Sequence, residues 1–158
     1  MKIYSAHLDE PAMCQLARVL APAVKPGDFI ALSGSLGAGK STFARALIAE
    51  KTGIHDVPSP TYTLVQQYDL PKGAGILWHF DLYRLASEKE VHELGWEEAL
   101  GEGLVLAEWP ERAKQHLPQG MLGIDLSIGP QSGGRNIEIE GSPAWAERLK
   151  PILPPPAR

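Results

Sequence analysis

The residues best equipped for chemistry lie in one run, GSLGAGKST, at positions 34–42. Gly34, Gly39, Lys40 and Ser41 satisfy the spacing G-x-x-x-x-G-K-[ST], in which each residue type has a task. Glycines at 34, 37 and 39 let the backbone wrap closely, so that successive N–H groups, those of Ser35, Leu36 and Ala38 included, converge on phosphate oxygens. Lys40 adds a full positive charge, worth about 4 kcal/mol against a unit negative charge ~4 Å away at an effective dielectric near 20. Ser41 offers a hydroxyl to Mg²⁺, and Thr42 carries the loop into a helix. The helix's positive end contributes only about 0.3–1 kcal/mol more. This is the pattern of a cradle for a polyphosphate, and so of a nucleotide site.

Such a cradle needs an acid at the end of a neighbouring strand to hold the metal's water shell. Two are available, Asp81 closing ILWHFD and Glu108 closing LVLAE. In a parallel sheet both emerge at the carboxyl edge, where ligands bind, although either residue is also compatible with a plain surface acid. Glu108 follows the cleaner apolar run and is the expected metal partner of Ser41. His79, inside the strand that ends at Asp81, reads as a hydrogen-bonded structural histidine in preference to a catalytic one. Pro58 and Pro60 restrict the backbone around Ser59 and present Ser59 and Thr61 on a stiff segment. Hydroxyls placed after the first helix suit a sensor of the γ-phosphate, while the same residues also fit a plain turn. Asn136 is the only asparagine, so no N-K-x-D element for guanine exists and adenine is favoured. QSGGR at 131–135 faintly echoes the transporter ATPase signature loop, but strand-like sequence follows it, and it reads as a hairpin turn.

The elements that must position these residues are legible around them. FIALSG is a short apolar strand entering the loop, and STFARALIAEKTG is the helix leaving it, closed by Gly53. Upstream, residues 2–6 suggest a strand. Met13, Leu16, Ala17 and Leu20 then recur at helical spacing, with Asp9 as N-cap. TYTLVQQYDL alternates as a strand does, and PKGAG is a turn. SEKEVHELGWEEAL reads as short helices, with Ser87 and Glu90 spaced as a capping box. MLGIDLSI and RNIEIE form a predicted antiparallel hairpin toward the C-terminus. Ser142 and Pro143 open a last helix carrying Trp145 and Leu149. The class is α/β, a mixed sheet flanked by helices, parallel near the loop and antiparallel at one margin. Residues 1–150 form one domain, and 151–158 a Pro-rich flexible tail.

A chain of 158 residues with 44% hydrophobic and 22% charged content has the balance of a globular protein with a real core. The net charge of −4 argues against a broad basic footprint, so any RNA is expected to be met through another protein. The one cysteine, Cys14, excludes an intramolecular disulfide and is expected to be a buried packing residue. MKIYSAHLDE has no signal-peptide core and no run approaches a membrane span, which points to the cytoplasm.

GSLGAGKST, SPTYTLVQQY, HFDLYRL, LGWEEAL and EWPER occur in that order at close spacing. Together they closely resemble the TsaE family, the small P-loop ATPases of bacterial tRNA threonylcarbamoyladenosine synthesis. The resemblance runs from about Ser33 to Arg112, more weakly through Arg135. It implies a P-loop NTPase-like fold and an ATP- and Mg²⁺-dependent ATPase that acts on a heterodimer of TsaB-like and TsaD-like proteins. Hydrolysis would support repeated turnover of that pair, which modifies the adenosine beside the anticodon of tRNAs reading codons that begin with A. Carried over, residues 37–42 hold phosphates, and Ser41 with Glu108 coordinates Mg²⁺. Asp81 orients water near the γ-phosphate, Thr61 reports the triphosphate, and Glu111 and Arg135 line the nucleotide. Trp109, in EWPER, either packs or serves the site. Ser35 stands where many members have Asp, Ser41 where Thr is common, and Met13 where Thr is usual. Two other classes share the loop. A small-molecule kinase would need an arginine-bearing lid, yet the arginines at 84, 112 and 135 are scattered; a non-hydrolysing adaptor would bind ATP and release no phosphate.

Overall fold

The computed structural model describes residues 1–60, 62–129 and 133–155. Strands β1 (Lys2–Asp9), β2 (Phe29–Gly34), β3 (Val65–Asp69), β4 (Ile76–Asp81), β5 (Leu104–Glu108), β6 (Leu122–Ile128) and β7 (Gly134–Glu140) make one sheet in the order β1-β7-β6-β2-β5-β4-β3. The helices are α1 (Glu10–Leu20), α2 (Lys40–Thr52), α3 (Trp96–Glu102) and α4 (Pro143–Leu149). The centre, β6-β2-β5-β4, is parallel. Both margins are antiparallel: β7 and β1 on one side, β3 on the other. The single antiparallel margin expected from the sequence is therefore corrected. β3 returns directly into β4 through the short turn at residues 70–75, too few for the crossover that a parallel pair requires.

The central strands are covered on both faces, and strand alternation sorts their side chains. Ile30, Leu32, Leu104 and Leu106 join α1, α2 and α4 in the larger core. Phe29, Ala31, Val105 and Ala107 meet Trp78, Phe80 and Trp96 in the second. There Phe80 and Phe29 pack edge-on against Trp96, with ring centroids 4.9 and 5.6 Å away.

Local signals hold at most boundaries. Asp9 caps α1 by accepting from the Ala12 amide at 2.9 Å, and Ser142 accepts from the Trp145 amide at 3.4 Å. Gly53 ends α2 in the left-handed region. The first strand reaches Asp9, beyond the predicted 2–6. Three expectations change. Residues 88–94 form a 3-10 segment and Ser87 makes no side-chain cap, because the Glu90 amide bonds to Ser87's backbone oxygen. The strand predicted from residue 61 begins only at Val65, since Leu64 is left-handed. Cys14 is half-buried, and burial pushes its thiol pKa up, away from a reactive thiolate. After α4 the chain turns, and Leu153 packs on the core. Among the described residues no helix is long and apolar enough to cross a membrane.

Candidate nucleotide site

The parallel register fixes the site before any side chain is considered. Glu108 at the end of β5 lies beside Leu32 of β2 and beside Asp81 of β4. Both acids thus sit at the carboxyl edge, on the two strands that follow one another to one side of the strand feeding the glycine loop. Within that loop the demand for glycine is steric at Gly34. Its φ is +139°, and a Cβ there would sit 2.0 Å from the Leu126 carbonyl oxygen on β6. Gly39, the N-cap of α2, has φ +102° and faces the Met13 thioether.

Lys40 is buried and folded back on its own loop. Its Nζ donates to the carbonyls of Gly34 at 2.7 Å and Ser35 at 2.8 Å, and lies 4.0 Å from the Trp109 ring centroid. Burial lowers the lysine's pKa; Glu108, then Glu111, Asp81 and Asp125, pull the other way. Ser41 Oγ donates to Glu108 Oε1 at 2.8 Å, joining the two predicted metal partners. Glu108 Oε2 meets His79 Nε2 at 2.6 Å, and both side chains are almost wholly buried, at 1% and 0% exposure. Asp81 Oδ1 accepts from the Tyr83 amide at 3.1 Å, which turns the chain sharply after β4.

Leu36, Gly37, Gly39, Lys40, Ser41, Thr42, Asp81 and Glu108 come together around a cleft of about 440 Å³, closed on one side by Tyr83, Arg84 and Trp109. Trp109 adopts φ +58°, and its ring packs 4.8 Å from that of Tyr83. It both packs and faces the cleft. Ser35 sits at the exposed loop tip, and Ala38 is buried beneath it. Arg135 reaches the loop from β7, donating to Ala38 O at 3.1 Å and Gly37 O at 3.3 Å. With Glu10, Met13 and Gly133 it bounds a second hollow of about 250 Å³ behind the loop. Glu111 is exposed on the 3-10 segment after β5, outside the cleft wall, where it acts on Lys40 only through its charge. Thr61 lies outside the described residues; three residues further on, Leu64 O accepts from the Asp81 amide at 3.0 Å. No sequence argument singled out Tyr83 as a wall residue. The available signal was its place two residues after Asp81.

The donor set fits Mg²⁺. That ion keeps several waters and is held by one or two carboxylates together with phosphates; Ser41 and Glu108 leave room for both. The glycine backbone and the buried ammonium fit a chain of phosphates.

Strand, glycine loop, helix and strand-end acids in this arrangement define a P-loop protein of the nucleotide-binding class. The family model described as "Threonylcarbamoyl adenosine biosynthesis protein TsaE" matches residues 8–137, and the chain belongs to the TsaE family. Proteins named tRNA threonylcarbamoyladenosine biosynthesis protein TsaE from Rickettsia felis and Bacillus subtilis are each 41% identical to it, over 115 and 111 residues. Those alignments cover 72% and 69% of this chain, and the chain spans 66% of the length of either relative. The crystal structure of Bacillus subtilis YdiB is similar throughout, with TM-score 0.70 and 27% identity, covering 94% of this chain and 93% of that one.

Proposed function

We propose that this chain binds ATP with Mg²⁺ in the 34–42 loop and hydrolyses it in the cytoplasm. The hydrolysis supports repeated turnover of a TsaB–TsaD-type heterodimer that makes threonylcarbamoyladenosine in tRNAs reading codons that begin with A. The observation that carries the reading is the Ser41–Glu108 hydrogen bond of 2.8 Å beside the Lys40 ammonium. A hydroxyl, a carboxylate and a cation converge there at the mouth of a glycine cradle. The names of the relatives support the pathway.

In this reading the loop amides orient the phosphates, and Lys40 leaves its carbonyl partners to meet the β- and γ-phosphates. Ser41 and Glu108 would hold Mg²⁺, and the chemistry it would supply is charge neutralisation. Asp81, adjacent in register, orients water near the γ-phosphate, and Thr61 reports the triphosphate state. Tyr83 and Trp109 keep bulk water from one side. Phosphate release from ATP, measured with and without the TsaB–TsaD-type pair and tRNA, tests the assignment. Slow release alone and faster release with the pair is expected. Hydrolysis that requires a small-molecule acceptor, or no phosphate even with the pair present, contradicts it.

A further inference from the structure

His79 has no place in the scheme above, yet it occupies a costly position. It projects from β4 onto the same face as Leu77, in register with Leu106 of β5, within the larger apolar core. Its side chain is wholly buried, and Nδ1 has no hydrogen-bond partner among the described residues. A buried polar atom left unpaired is destabilising, so an apolar residue here would suit the core better. The compensating contact is the 2.6 Å hydrogen bond to Glu108 Oε2. A carboxylate oxygen only accepts, so Nε2 carries the proton in this bond.

This bond has a geometric consequence. One oxygen of Glu108 is held by His79 and the other by Ser41. With Oε2 engaged in the core, rotating the carboxylate would break that bond, and Oε1 is the oxygen that meets the loop. Resting on the reading of Ser41 and Glu108 as the metal pair, we infer that His79 is a positioning residue. By donating from Nε2 it locks Glu108 as a one-oxygen ligand aimed at Ser41. Hydrogen-bonded partners behind a ligand commonly tune metal affinity by about 10–100-fold.

The two ring nitrogens give the test its discrimination. Glutamine places an amide nitrogen near the position of Nε2, whereas asparagine reaches only as far as Nδ1. Mn²⁺ is the probe, its binding followed by electron paramagnetic resonance on the full chain with a non-hydrolysable ATP analogue, and thermal unfolding is recorded in parallel. His79→Asn is expected to weaken Mn²⁺ binding by roughly tenfold or more, and His79→Gln by less than about threefold. Equal Mn²⁺ affinity in wild type, His79→Gln and His79→Asn overturns the inference. So does an equal loss in both variants that tracks their melting temperatures, which is the signature of packing alone. Nitrogen-15 NMR of the wild-type imidazole checks it without any substitution: a proton on Nδ1 and none on Nε2 overturns it. Wild-type protein that binds the analogue but no Mn²⁺ overturns the metal assignment, and the role of His79 with it. Mn²⁺ binding that is normal in wild type and insensitive to the variants removes only His79.

Discussion

Glu108 carries the largest share of the site's geometry, because three elements meet in its carboxylate: Ser41 from α2, His79 from β4 and its own strand β5. Glu108→Ala is expected to reduce Mg²⁺-dependent ATP hydrolysis by about 10²-fold or more, the scale of one lost electrostatic stabiliser. Steady-state phosphate release checks this, and an unchanged rate would transfer the metal role to Asp81. Lys40 yields a second expectation, in pH. Burial holds its folded pKa below the ordinary lysine value. Between those two values the unfolded chain binds the extra proton, so this group's contribution to stability rises with pH across the window. Binding runs the opposite way, since phosphates need the protonated amine. ATP affinity should be full below the lowered pKa and should fall as pH rises through it, before ordinary lysines titrate. Calorimetric affinities measured across the alkaline range check the sign; affinity that stays constant or rises would contradict it.

At the scale of elements, the loop depends on β6 as much as on its own glycines. Gly34 approaches the Leu126 carbonyl so closely that Gly34→Ala must push β2 from β6 or abandon its φ of +139°. A loss of at least about 2 kcal/mol is expected, seen as a melting temperature lower by roughly 5 °C or more by circular dichroism. An unchanged melting temperature would show that the strand pair yields freely. Legibility in the sequence divides along the same line. The glycine loop, the caps at Asp9 and Ser142 and the strand-end acids announce themselves, because each is fixed by its own few residues. The His79–Glu108 contact and the Arg135 clasp on Ala38 span 29 and 97 residues, and arise only once the sheet has brought distant strands together. No local pattern encodes register between strands so far apart. The capping box at Ser87 and Glu90 misled for the converse reason: its spacing was right, but the backbone took a 3-10 turn.

At the scale of the molecule, one sheet with helices on both faces leaves the carboxyl edge open, and the exposed Leu36 stands at its rim. The net charge of −4 is not the broad basic footprint of a protein that grips nucleic acid unaided. The family and the α/β architecture were readable from the ordered set of motifs, whereas the second antiparallel margin required the strand order itself. Everything functional rests on the cradle and its cation. Calorimetric titration of ATP in magnesium buffer, on the wild-type chain and on Lys40→Ala, measures that claim directly. Saturable one-site binding that the substitution removes is the predicted result. No heat at millimolar ATP, or equal affinity in the two proteins, would contradict the account.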